Sequence, residues 1–303
     1  MRISDALRDQ RPFFSFEFFP PKDDAGSRQL FAAIEALAPL RPAFVSITYG
    51  AGGSARARTV ALAKEIQHQI GLTVVAHVTC VGASRAELRA LFDDLARAGI
   101  ENVLALRGDP PPGSPFETPP GGFAHADELI AMLHRNYGFC IGAACYPEKH
   151  PEAQSLEADL HALRRKQEAG ADFFVSQLFF DNSLFFAFER AARAAGITRP
   201  LLPGLMPITN FKQIARFVAM CGATIPPKLH VELEARKDDV KAVEDVGVAY
   251  ASMQALELLQ SGVPGLHFYT LNRSPATRAI VSAILAASAW RPAARYATAI
   301  TTP

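Results

Sequence analysis

Asn102-Val103-Leu104-Ala105-Leu106-Arg107-Gly108-Asp109-Pro110 is a short apolar run that ends abruptly in an arginine, a glycine and an aspartate before a proline-rich loop. The run has the length and composition of a strand buried on both faces, and charge arrives only where the strand stops. In α/β proteins that edge is where ligands bind. An Arg107–Asp109 pair that merely ties down a loop is the plainer alternative.

Outward from this stretch, strand and helix alternate. Phe13 to Phe19 puts Phe14, Phe16 and Phe18 on one face and Ser15 and Glu17 on the other, and Pro20-Pro21 stops it. A helix is expected from about Ala25 to Ala38, a strand from Ala43 to Tyr49, a helix from Arg56 to Ile70 and a strand from Val74 to Thr79. The next helix, Ser84 to Ala98, opens with a Ser84–Glu87 capping box and closes at Gly99. After Asn102 to Leu106 come helix Ala126 to Tyr137, strand Cys140 to Ala144, helix Leu156 to Ala169, strand Phe173 to Gln177 and helix Ser183 to Ala195. A seventh strand, Leu201 to Leu205, precedes helix Asn210 to Met220. A charged helical insertion fills Pro227 to Asp245, a long helix covers Val246 to Leu259, Leu266 to Thr270 is the eighth strand, and Pro275 to Ala287 the last helix. Eight strands in this alternation fit a closed (β/α)₈ barrel of one domain, residues 1–303, with about 290–303 a loosely held tail. The loop Pro110 to Gly122, with six prolines, is the longest irregular piece before the fifth strand, and such loops are often functional.

The 303 residues, 49% hydrophobic and 20% charged with a formal net charge of +1, suffice for a large core and give no reason to expect nucleic acid as a partner. No stretch approaches the ~20 apolar residues of a membrane span, and Met1-Arg2-Ile3-Ser4-Asp5 opens no signal peptide, so the chain reads as cytoplasmic. Cys80, Cys140, Cys145 and Cys221 form no C-x-x-C pair and read as reduced, buried thiols.

Polar groups stand at nearly every expected strand end: Glu17, Thr48 and Tyr49, His77, Arg107 and Asp109, Tyr146, Glu148 and His150, Gln177, Met206 and Thr209, then Thr270, Asn272 and Arg273. In a barrel these converge on one pocket, and residues so costly to bury need a reason to be there. Glu17, among phenylalanines, is a candidate general acid or else the partner of a basic neighbour. His77 follows Val74-Val75-Ala76, where a lone histidine is more often a satisfied core residue than a catalyst. His150 sits in a loop stiffened by Pro147 and Pro151. Asp159 and Lys166 share one helical face with Arg165 alongside, which is either a solvated face or a phosphate cradle. No G-x-G-x-x-G follows a strand and there is no G-x-x-x-x-G-K-[ST]; Gly50-Ala51-Gly52-Gly53-Ser54 fits neither spacing. The first strand lacks the paired histidines of a zinc hydrolase barrel, and no catalytic metal is expected. The residues alone thus predict a metal-free barrel enzyme with an acid at Glu17 and a cationic wall for a phosphorylated ligand.

Phe14-Ser15-Phe16-Glu17-Phe18-Phe19-Pro20-Pro21, Val45-Ser46-Ile47-Thr48-Tyr49-Gly50-Ala51, Ala105-Leu106-Arg107-Gly108-Asp109, Tyr146-Pro147-Glu148-Lys149-His150-Pro151-Glu152 and His267-Phe268-Tyr269-Thr270-Leu271-Asn272-Arg273 resemble the methylenetetrahydrofolate reductase family, from Phe13 to about Leu285. The resemblance implies a flavoprotein that carries hydride from NADH or NADPH through FAD to 5,10-methylenetetrahydrofolate, giving 5-methyltetrahydrofolate by a ping-pong scheme. It implies Glu17 as general acid and Asp109 as the carboxylate by flavin and pterin. Gln177, Gln213 and Arg273 match folate-contacting positions, with Gln177 also meeting the nicotinamide. Thr48, Tyr49, Ala51, His77, Arg107, Gly108, Ala126, Tyr146, His150, Ala153, Asp159, Arg165 and Lys166 match positions that hold FAD. At Ala162 some relatives carry asparagine, so that side-chain hydrogen bond to the cofactor is not expected here. Family members form homodimers or homotetramers, and larger eukaryotic ones add a carboxy-terminal domain that senses S-adenosylmethionine; this chain ends soon after the barrel, and no such feedback is expected. A flavin- or folate-binding subunit that takes electrons from a partner protein is the alternative, against which Glu17 and Gln177 both speak. A Schiff-base lyase is disfavoured because no lysine stands in a strand interior or among the inner strand ends.

Overall fold

A computed structural model describes residues 1–8, 12–49, 53–110 and 116–287. The expected tail, Ala51 and part of the proline-rich loop lie outside the described residues. The strands are β1 (Phe13–Phe18), β2 (Phe44–Ile47), β3 (Val74–Thr79), β4 (Asn102–Leu106), β5 (Cys140–Cys145), β6 (Phe173–Ser176), β7 (Leu201–Leu202), β8 (Gly204–Leu205) and β9 (Gly265–Tyr269). All pair in parallel, in the order β7-β6-β5-β4-β3-β2-β1-β9-β8. β7 and β8 are two halves of the expected seventh strand. Pro203 separates them because it has no N–H to give the ladder. One half pairs with β6 through Phe174↔Leu201, the other with β9 through Leu205↔Phe268, and this interrupted strand closes the eight-stranded barrel.

The helices form the outer ring: α1 (Ile3–Arg8), α2 (Asp24–Leu37), α3 (Gly53–Glu65, continued by a wider turn at Ile66–Ile70), α4 (Arg85–Arg97), α5 (Ala126–Asn136), α6 (Leu156–Glu168), α7 (Asn182–Ala194), α8 (Phe211–Cys221), α9 (Pro227–Glu234), α10 (Val240–Ser261) and α11 (Pro275–Ala287). Side chains cap many of them. Ser84 and Glu87 make the expected box on α4, and Asp239 accepts the Ala242 N–H, which starts α10 six residues before the expected Val246. No helix among the described residues is long and apolar enough to cross a membrane.

The period-two pattern of β1 sorts two cores. Phe14, Phe16 and Phe18 face outward, into one cluster with Leu30, Ile34 and Leu37 of α2. Inside the barrel Phe44, Val75, Leu104, Phe173, Val175 and Leu202 fill the lower part, with Ile3 of α1 packed against them as a floor. That floor is pinned from β4. Buried Asn102 accepts the Ile3 N–H at Oδ1 (2.9 Å) and donates from Nδ2 to the Met1 carbonyl (3.0 Å), while the Met1 ammonium meets Glu101 at 2.6 Å.

Candidate active site

At the carboxyl ends of the strands lies a cleft with a cavity volume of about 530 Å³. β1 turns Ser15 and Glu17 inward, opposite its phenylalanines, and the register sets Ser15 beside His267 and Glu17 beside Tyr269 on β9. Glu17 therefore does not lie among the phenylalanines as its sequence neighbours suggest; its neighbours are polar. Oε2 of Glu17 is 3.4 Å from Nε2 of His267 and 3.6 Å from Nε2 of His77. Nδ1 of His267 lies 2.8 Å from Oγ of Ser15, which also approaches the Leu266 carbonyl at 3.4 Å. All four residues are buried. Burial pushes the His77 imidazole down to about 4, against the opposing pull of Glu17 and with a smaller push from His267. His77 is thus a neutral neighbour of Glu17 at ordinary pH, and its Nε2 has no hydrogen-bond partner among the described residues. Glu17 thus has two imidazoles as neighbours, and His77, though buried, also lines the cleft.

The charged stretch after β4 delivers Arg107, Gly108 and Asp109 to the cleft wall. Gly108 has φ +84°, and a Cβ there would come within 2.6 Å of Val81 Cγ1, so only glycine lets the chain turn this close to the end of β3. Glu152 holds the Arg107 guanidinium at two points, and Phe116 stacks on it at 4.8 Å. Burial lowers the His150 pKa, with Arg107 adding to the effect. Nδ1 of His150 accepts the Glu152 N–H at 3.1 Å, and its ring meets Tyr146 edge-on at 4.7 Å between centroids. Asp159 of α6 accepts the His150 N–H at 3.0 Å. Lys166, one face further along, reaches under β5 to donate to the Ala144 carbonyl at 2.9 Å; its pKa is lowered by burial and supported by Asp159. Arg165 pairs with Asp127 at 3.2 Å.

These residues fit a phosphate-bearing dinucleotide: three cations line one stretch of wall, and Ala126, Ala153, Ala158 and Ala162 leave a smooth trough between them. The wall is nevertheless not simply cationic. Arg107, Arg165 and Lys166 share the lining with Glu17, Asp109, Asp127, Glu152 and Asp159, so each arginine meets a carboxylate of the protein itself.

Of the residues expected at a site, Glu17, His77, Arg107, Gly108, Asp109, Ala126, Tyr146, His150, Ala153, Asp159, Arg165, Lys166 and Gln177 line this one cleft. Thr48 and Tyr49 do not: the Thr48 N–H continues the ladder to the Phe18 carbonyl and Tyr49 packs on the outer core. Gln213 stands on α8 a turn before Phe217, which does line the cleft. Arg273 lines a separate cavity of about 340 Å³ with Gln29, Thr209 and Asn272, divided from the cleft by Tyr269. Residues that sequence reasoning left out are Ser15, His267, Tyr269 and Glu152. For the first three, the signal was the inward parity they share with Glu17 once the register is known.

The profile of the family described as Methylenetetrahydrofolate reductase matches residues 2–285. The chain is 37% identical to methylenetetrahydrofolate reductase (NADH) 1 of Zea mays, over 96% of this chain and 53% of that one, so it spans about half the length of such plant relatives. It is 40% identical to the 5,10-methylenetetrahydrofolate reductase of Salmonella typhimurium, over 88% of both chains. Among solved structures, an uncharacterized protein from Clostridium thermocellum, described as binding two copies of 5-methyl-5,6,7,8-tetrahydrofolic acid, shares the fold with a TM-score of 0.62 at 12% identity, over 92% of this chain and 96% of that one.

Proposed function

The chain belongs to the methylenetetrahydrofolate reductase family, and from that premise we propose that it reduces 5,10-methylenetetrahydrofolate to 5-methyltetrahydrofolate with electrons from NADH or NADPH. The observation that carries this reading is the buried, inward carboxylate of Glu17, at the inner end of a cleft whose other wall suits a dinucleotide. FAD, when bound, supplies the hydride chemistry that links the nicotinamide donor to the folate, each substrate using the cleft in turn.

The residues of the chain do the rest. Arg107, Arg165 and Lys166 would hold the phosphates, and the alanines between them would leave room for the cofactor. Asp109 is exposed on the cleft wall at the end of β4 and would meet the folate's pterin from there. Gln177, at the end of β6, orients whichever substrate is present. Glu17 delivers a proton to the folate nitrogen that leaves as the five-membered ring opens, so the one-carbon unit becomes an electrophilic iminium able to accept hydride. Tyr269 and Phe19, which also line the cleft, keep water from the reacting carbon.

An anaerobic spectrum of the purified protein reconstituted with FAD tests the proposal. Bleaching of the flavin band by NADH or NADPH, and its return on adding methylenetetrahydrofolate, is the expected result and names the preferred donor. A flavin that binds but that neither nucleotide bleaches would place the electrons with a partner protein. Failure to bind FAD would overturn the flavoenzyme reading.

A further inference from the structure

Ser15, His267 and Glu17 form a buried line whose order, hydroxyl to imidazole to carboxylate, resembles that of a hydrolase triad. Ser15 is fully buried on the barrel side of the histidine, so its hydroxyl meets no substrate. The working end is therefore the carboxylate. We infer that His267, oriented by Ser15, is a positioning residue that holds one oxygen of Glu17 and so decides which oxygen carries the proton given to the substrate. This rests on the proposed role of Glu17 and extends it to two residues with no assigned part.

The ring of His267 has little freedom. It stacks on Phe44, with centroids 5.8 Å apart and planes 20° from parallel, and meets Tyr269 edge-on at 5.3 Å. Its two nitrogens then point along the line, Nδ1 to Ser15 and Nε2 to Glu17. The serine hydroxyl has one hydrogen and two acceptors in reach, Nδ1 at 2.8 Å and the Leu266 carbonyl at 3.4 Å. The shorter contact places it on Nδ1, so Nδ1 accepts and the ring hydrogen stands on Nε2, facing Oε2 of Glu17.

Both histidines approach that same oxygen, and Oε1 has no protein hydrogen-bond partner among the described residues. With Oε2 accepting from Nε2–H, a protonated Glu17 carries its hydrogen on Oε1. Proton transfer breaks that O–H bond and forms the N–H bond on the folate, leaving a carboxylate still held at Oε2. A proton from bulk solvent, relayed by water entering the emptied cleft, restores the hydrogen on Oε1.

The test follows each half-reaction by anaerobic stopped flow in the FAD-loaded protein carrying His267→Leu, His267→Gln or Ser15→Ala. Leucine should slow reoxidation by methylenetetrahydrofolate by about 30-fold or more, part of the roughly 10²–10⁴ that a positioned acid contributes. Flavin reduction by the nicotinamide, folate affinity and thermal stability should change little. Glutamine, whose amide can place an N–H near the position of Nε2, should recover most of that loss, and Ser15→Ala should slow the same step alone by several-fold. Equal loss in both half-reactions, or no rescue by glutamine, would overturn the inference. If His267→Leu fails to fold, Ser15→Ala decides, and an unchanged folate step in it counts against the proposal. A wild-type protein that does not pass hydride to folate would instead indict the functional reading.

Discussion

Glu152 grips Arg107 with both carboxylate oxygens, at 2.6 and 2.7 Å, on the cleft wall that Arg107 shares with Arg165 and Lys166. The carboxylate is half exposed, and such a pair contributes ~0–1 kcal/mol to folding. Arg107→Ala should therefore lower the unfolding free energy by no more than about 1 kcal/mol. The FAD dissociation constant should rise about tenfold, since a charge-assisted contact to phosphate is lost. Riboflavin, which has no phosphate, should bind as before; fluorescence titration with both flavins, beside a urea melt, measures each part.

Glu17→Gln keeps the shape of the side chain and a hydrogen-bonding atom toward His267 while removing the transferable proton. Flavin reduction by NADH or NADPH should stay within about twofold, whereas reduction of the folate should fall by roughly 10²–10⁴. Single-turnover traces of the two half-reactions give the comparison directly. Equal loss in both would make Glu17 an organiser of the flavin site instead.

Much of this was legible in the chain because the barrel repeats two simple periods. The alternation of β1 told which side of the strand Glu17 occupies, and the charges after β4 told which end of it is wet. What the alternation could not tell is who stands opposite. His267 lies 250 residues from Glu17 and meets it only because β9 closes the ring beside β1, a pairing set by the whole barrel. Thr48 and Tyr49 illustrate the converse. Their motif is as clear as that of Arg107, yet just past β2 the Thr48 N–H still bonds the Phe18 carbonyl and Tyr49 packs on the outer core. The split at Pro203 was signalled by the proline itself. Helix α1 was not, since six residues have little helical preference of their own and this helix is held by Asn102, about a hundred residues away.

His77 should mark the acid side of the stability profile. Its folded pKa, about 4, lies below the unfolded value of 6.5 because burial disfavours the imidazolium. Between those two values the unfolded chain binds a proton that the folded chain refuses, so stability falls as pH drops through that window and the penalty levels off below it. The full effect is on the order of 3 kcal/mol. Glu17 and His267 face the same ring, so the clean observable is a difference: urea melts of wild type and His77→Asn from pH 7 to pH 4 should converge, or cross, as pH falls.

Asn102 sits at the opposite end of β4 from Arg107, and one strand thereby carries two separable roles. Its side chain is fully buried and accounts for the Ile3 N–H and the Met1 carbonyl at once. Asn102→Ala would strand the Ile3 N–H in the apolar floor, at a cost of about 1–3 kcal/mol, with a small cavity adding to it. The expected outcome is a fall in unfolding free energy of about 2–4 kcal/mol and faster amide exchange at Ile3, with FAD affinity unchanged. Loss of flavin binding alongside stability would mean that the floor of the barrel and its active end are coupled through β4, and that the strand behaves as one rigid lever.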